Sequence, residues 1–216
     1  MFLSPATQRQ GAPVARIVAI GLVASIGVLF GIAVGRGQAP SQANPILPGS
    51  TIEYIPPLAQ AVLTGDPKQV SEALKEAPDS INEQVRSKKG GRAGFTPLIL
   101  AAALSETEIA TMLIERGAKI TVLDDYNRSA IWYAALRGDV PVTEALVYSP
   151  SIGEVVNVAD SDFKRTPLHI AVRSNQPKVV SLLIKAGASE KQKDILGETP
   201  IDYCNHALTE ACKQLR

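Results

Sequence analysis

The chain has 216 residues, with 22 Lys+Arg against 21 Asp+Glu, and 5% aromatic residues beside 45% apolar ones. A net charge of +1 excludes generic nucleic-acid binding, which needs a clustered basic excess. Two cysteines and two histidines are too few for a disulfide scaffold or a four-ligand zinc site, and they leave little for acid–base chemistry.

All acidic residues lie at or after Glu53; before it stand only Arg9, Arg16 and Arg36 as charged side chains. Residues 1–16 read as a tail. Ile17 to Val34 is a run of 18 uncharged residues, extended slightly by Gly35. At about 1.5 Å per residue it spans roughly 27 Å, close to a bilayer core of about 30 Å. A transmembrane helix is expected over 17–35, because the segment is apolar all round. The run is longer than the usual apolar region of a cleaved signal peptide, so a retained anchor is the expectation. Arg9 and Arg16 precede it and Arg36 follows. The positive-inside rule then keeps the N-terminus cytoplasmic and places the rest outside the plasma membrane, in the periplasm of a Gram-negative cell. Gly27, Gly31 and Gly35 share one face of that helix. Small faces allow close helix packing, although glycine is common in membrane helices anyway. Residues 36–54 carry Pro40, Pro45 and Pro48 among Gln, Ser and Ala, the composition of a linker.

Residues 55–216 repeat. Thr96-Pro97-Leu98, Thr166-Pro167-Leu168-His169 and Thr199-Pro200-Ile201 open three segments, with the degenerate Ser129-Ala130-Ile131-Trp132 between the first two. The Thr or Ser positions are spaced 33, 37 and 33 apart, and Pro56-Pro57-Leu58 is a weaker start. Thr96 and Thr166 suit helix N-caps, with proline at the first helical position. Ala101, Ala102 and Ala171 are small enough for close stacking. Ile109, Met112, Leu113 and Ile114, and Val179, Val180, Leu182, Leu183 and Ile184, form apolar faces of second helices. Gly117 and Gly187 suit left-handed helix stops.

A period of 33 headed by Thr-Pro-Leu-His-x-Ala resembles the ankyrin repeat. The resemblance covers 55–216 and implies an all-α solenoid of about five helix-turn-helix repeats, starting near 56, 96, 129, 166 and 199. The first and last copies depart from the pattern as capping units do. The first carries an insertion, Ser87 to Gly94, and the third gains residues around Tyr148 to Glu154.

The resemblance implies protein binding and no catalytic site, cofactor or metal. It also implies no small-molecule substrate. His169 is the motif histidine, expected to bond within and between turns; His206 has no second histidine nearby for metal binding. Asp124, Asp125, Asp160 and Asp162 precede repeats, where aspartate bonds local backbone. Cys204 and Cys212 fall on the two helices of the last copy. They read either as buried thiols or, in an oxidising compartment, as a disulfide. Asn127-Arg128-Ser129 matches a glycosylation acceptor.

Counting back from each Thr or Ser places Ala93, Tyr126, Phe163 and Leu196 at the finger turns, where an exposed row could anchor a partner. Counting forward places Ala103, Leu104, Leu136, Arg137, Arg173, Ser174 and His206 on the palm. Lys88, Lys89 and Arg92 add charge to the first finger. The candidate protein-binding residues are therefore Tyr126, Phe163, Leu196, Leu104, Arg137, Arg173, Lys88, Lys89 and Arg92. The expected function is a membrane-tethered interaction module of a bacterial, exported type, such as an adaptor, accessory subunit or assembly factor. The alternative is an inhibitor or immunity-type protein that blocks an exported enzyme.

Overall fold

In the computed structural model the described residues are 17–19, 31–33, 52–87, 93–205 and 210–215. The chain forms two units, residues 1–50 and 51–216.

In the first unit β1 (Ile17–Ala19) pairs antiparallel with β2 (Gly31–Ala33), Val18 opposite Ile32. This departs from the helix expected over 17–35. Ile17, Val18 and Ile32 are β-branched and fit an extended backbone, and an all-apolar run carries no periodicity that separates helix from strand. Among the described residues no helix is long and apolar enough to cross a membrane. Gly31 stands in β2, while Gly27 and Gly35 lie outside the described residues.

The second unit starts earlier than expected. Ile52–Tyr54 is not linker: it forms β3, paired antiparallel with β4 (Arg86–Ser87), and Ile52 is buried. The Arg86 guanidinium lies over the Tyr54 ring at 4.6 Å. A β-branched residue beside an aromatic one favours the extended form.

Four helix pairs follow: α1 (Pro57–Thr64) with α2 (Pro67–Glu76), α3 (Pro97–Leu104) with α4 (Thr107–Glu115), α5 (Ala130–Arg137) with α6 (Val140–Val147), and α8 (Pro167–Arg173) with α9 (Pro177–Lys185). Helices α1, α3, α5 and α8 pack in one row, and α2, α4, α6 and α9 in a second. The inner helices start where their caps dictate. Thr96 Oγ1 accepts from the Ile99 N–H at 3.1 Å, and Pro97 and Pro167 occupy first helical positions. Their centres are alanine: Ala101, Ala102, Ala134, Ala135 and Ala171 are buried without any exposed surface, so neighbouring backbones approach closely. The outer helices bury one stripe each, such as Ile109, Ala110 and Leu113 on α4 and Val179, Val180 and Leu183 on α9. Burying a leucine or isoleucine of this kind contributes about 1.5–3 kcal/mol.

The third repeat absorbs its extra residues by ending α6 at Val147 and adding a turn, α7 (Ile152–Val155). The fifth repeat has no α-helix among its described residues. Two 3-10 segments, Asp202–Asn205 and Glu210–Leu215, take the helix positions. Cys204 and Cys212 join across them with a Cα–Cα distance of 5.6 Å.

The hairpin between the first two repeats is closed by bonds from Gly94 N–H to Val85 O and from Val85 N–H to Phe95 O. Gly94 has φ +74, and a Cβ there would stand 2.8 Å from the Asp125 backbone N. Gly94→Ala should therefore destabilise the domain by about 1–3 kcal/mol in urea unfolding. Gly153→Ala, inside α7 with open space around it, should be neutral or stabilise by up to about 1 kcal/mol.

Candidate protein-binding surface

The second, third and fourth fingers are tight turns, each held by one aspartate. Asp124 Oδ1 accepts from the N–H groups of Tyr126 and Arg128, both at 2.9 Å. Asp160 Oδ1 accepts from Asp162 and Phe163, and Asp194 Oδ1 from Leu196 and Glu198. The turn needs a left-handed residue, supplied by Asn127 (φ 61), Lys164 (φ 57) and Gly197 (φ 80). The second carboxylate oxygen of Asp124 accepts from the Tyr133 hydroxyl at 2.7 Å, and that of Asp194 from the Tyr203 hydroxyl at 2.7 Å.

Burial raises the Asp124 carboxyl above its ordinary range against those hydrogen bonds. Burial also opposes charge on Asp194, but the Tyr203 hydroxyl and the Glu198 and Leu196 N–H groups outweigh it and hold that carboxyl low. Tyr203 is pushed up to about 12, first by burial and then by its bond to Asp194. These carboxylates are fastened into turns rather than poised for chemistry.

Consecutive fingers are fastened to each other. Asp125 N–H donates to Ala93 O, Ser161 N–H to Tyr126 O, and Ile195 N–H to Phe163 O. Arg128 reaches forward to Asp162 at 3.0 Å, and the Arg165 Nε donates to the Tyr203 hydroxyl at 2.8 Å and stands 3.9 Å from Asp194. Both guanidiniums are flanked by rings. Arg128 lies over Tyr126 and Trp132, and Arg165 over Phe163 and Tyr203. Such stacking partly replaces the water these cations lose.

This arrangement corrects the expected exposed row. Ala93 and Tyr126 are buried, Tyr126 beneath Arg128 and the next finger; Phe163 is half-buried against Arg165. Leu196 alone of the four is exposed. On the palm Arg137 and Arg173, the last residues of α5 and α8, are exposed, and Leu104 is half-buried. The Arg137 Nε donates to Ser105 Oγ at 3.1 Å. Lys88, Lys89 and Arg92, and His206, lie outside the described residues. In the glycosylation motif Ser129 is buried and the Asn127 amide donates to Ala159 O at 2.7 Å, so the acceptor is already engaged.

His169 links two repeats. The Thr166 N–H can only donate, so Nδ1, 3.2 Å away, accepts and the proton sits on Nε2, which donates to Glu198 O at 3.1 Å. Thr166 Oγ1 also approaches Nδ1 at 2.8 Å. Burial pushes the His169 pKa below its ordinary 6.5, against the Glu198 carbonyl, which favours the charged form. In the third repeat Trp132 stands where this histidine would be. There Ser129 Oγ and the Trp132 indole N–H are buried without a hydrogen-bond partner among the described residues.

Sequence reading missed Asp194, Arg128, Arg165, Tyr133 and Tyr203. The signal was present: an aspartate, then a left-handed residue, then a long side chain directly before Thr or Ser, in three successive copies. Among the described residues no group of His, Cys, Asp and Glu could hold a metal.

The comparisons agree with this geometry. The family described as ankyrin repeats (three copies) matches residues 58–160 and 131–215. A mitochondrial disaggregase of Bos taurus is 28% identical over 160 residues, covering 74% of this chain and 22% of that protein. Rabankyrin-5 of Mus musculus is 27% identical over 140 residues, covering 56% and 12%. Inversin of Mus musculus is 30% identical over 105 residues, covering 48% and 9%. The chain thus spans less than a quarter of the length of these curated relatives. All three are eukaryotic proteins, so they lend no support to the bacterial type expected from the sequence.

Because the folded His169 binds its proton more weakly than the unfolded one, its contribution is complete above pH 6.5. It is lost as pH falls below that value toward the folded pKa. The urea midpoint should therefore drop between pH 7.5 and pH 5.5, and His169→Gln should flatten that drop while lowering stability by about 1–3 kcal/mol at pH 7.5. The matched family model, the capped inner helices and the finger ladder together establish that this chain belongs to the ankyrin-repeat family.

Proposed function

We propose that this chain is a membrane-tethered protein-interaction module, an adaptor, accessory subunit or assembly factor that binds a protein through its palm and fingers. Ankyrin repeats are a protein–protein interaction module, and the observation that carries the finer reading is the pair Arg137 and Arg173. Most polar groups on the fingers are turned inward to hold turns, whereas these two cations stand exposed one repeat apart on the inner helices. Long cations on a rigid helix row offer bidentate contacts to a partner's carboxylates.

The tether rests on the 18 uncharged residues from Ile17 to Val34 and the arginines that flank them. The side of the membrane rests on Arg9 and Arg16 preceding that run, and the Cys204–Cys212 bond suits an oxidising compartment.

Affinity purification from gently solubilised membranes tests the reading. A protein should co-purify stoichiometrically with the natural chain, and recovery should fall roughly tenfold with Arg137→Glu, Arg173→Glu, at unchanged thermal stability. No stoichiometric protein, or equal recovery from the double variant, would contradict it. A reporter joined after Arg216 should be active only outside the cytosol, and alkaline carbonate should leave the chain with the membranes.

A further inference from the structure

The outer helices carry a charge pattern that their own packing does not use. Each turns one stripe into the core: Ile109, Ala110 and Leu113 on α4, Val142, Thr143 and Leu146 on α6, and Val179, Val180 and Leu183 on α9. The opposite face of each helix holds three residues spaced i, i+4 and i+7. They stand at the same distances from the Thr or Ser cap in all three repeats: Glu108, Met112 and Glu115; Pro141, Ala145 and Tyr148; Lys178, Leu182 and Lys185. Helix α6 packs between α4 and α9. The face therefore runs from an acidic stripe, through a neutral one, to a basic one.

All four charged side chains are exposed, and among the described residues none has an ion-pair partner. Met112, Ala145 and Leu182 are half-buried and draw an apolar line between the charges. Tyr148, at the end of the neutral stripe, is 81% exposed, a large amphipathic ring of the kind that anchors interfaces. Two further charges flank the face. Arg116 follows α4, turned toward one edge, and Glu144 lies on the other edge of α6. The residue equivalent to Glu144 in the fourth repeat is Ser181, whose Oγ donates to Gln214 of the following repeat, so Glu144 leans toward the lysine stripe.

We propose that two copies of this chain pair through this outer face, about a two-fold axis that passes through α6. The axis lays the acidic stripe of each copy on the basic stripe of the other. The two α6 helices run antiparallel, which brings each Tyr148 against Pro141 of the second copy. A second copy satisfies both charged stripes at once, whereas a partner of one sign would satisfy one stripe and oppose the other. The face covers about 30 Å by 13 Å, which suits a weak dimer with Kd of about 10–100 μM. This surface is separate from Arg137 and Arg173, so the pairing and the palm reading can fail independently.

The test is sedimentation velocity of the full chain in mild detergent, over concentrations that bracket this Kd. The mass of the protein should double as concentration rises, and salt raised from about 50 to 500 mM should weaken pairing roughly fivefold. The double variants Glu108→Lys, Glu115→Lys and Lys178→Glu, Lys185→Glu should each weaken it at least tenfold, at unchanged helical circular dichroism. Mixed in equal amounts, these two variants should pair with each other, because each supplies both stripes in the sign that the other needs. Tyr148→Ala should weaken pairing roughly fivefold, and Arg137→Glu should leave it unchanged. A monomer at every concentration would overturn the proposal. So would a dimer indifferent to both double variants, or variants that stay monomeric when mixed.

Discussion

No unit of this chain can bury its own apolar surface. Each of the first four repeats is a pair of helices of 7–10 residues, too short to be stable alone in water. Each exposes one apolar face that only a neighbour covers. Stacking is therefore the constraint on which everything else depends. It explains the alanine at the centre of every inner helix from α3 onward, where a larger side chain would hold adjacent repeats apart. It also explains why the last repeat can dispense with α-helix. Ala211, Cys212 and Leu215 are buried against α9, and the Cys204–Cys212 bond restrains the 3-10 segments that carry them.

Polar groups then fix the register of the stack. Asp124, Asp160 and Asp194 first satisfy their own turns and leave the arginines free to reach the next one. A buried guanidinium is tolerable here because each has a carboxylate or phenol ahead of it and aromatic rings beside it. The third repeat shows what happens when the pattern is broken. Trp132 in place of the motif histidine fills space and packs edge-on to Tyr133 at 5.1 Å. It cannot bond Ser129 as His169 bonds Thr166, so that repeat relies more on packing.

Much of this was legible in the sequence because the period is long and its chemistry local. Thr-Pro fixes a cap and a first turn, and the spacing of 33 fixes the stack. The fate of Tyr126 and Phe163 was not legible, because an arginine two residues on decides whether an aromatic fingertip stands out or lies flat. Neither was the strand at Ile52–Tyr54, whose partner, Arg86–Ser87, lies across the whole first repeat. The N-terminal run is a different case. Eighteen uncharged residues measure length against a bilayer, but their apolar pattern does not choose between helix and strand.

Among the described residues the exposed surface includes two arginines on the palm and an aliphatic tip on the last finger. The most direct test of the central claim is site-specific photo-crosslinking in living cells. A photoreactive residue at Arg173 should capture one protein in good yield, while the same residue at Glu144, exposed on the outer helix α6, should capture nothing but a second copy of this chain. Capture of a different protein at Glu144 with silence at Arg173 would mean that the palm is not the binding face.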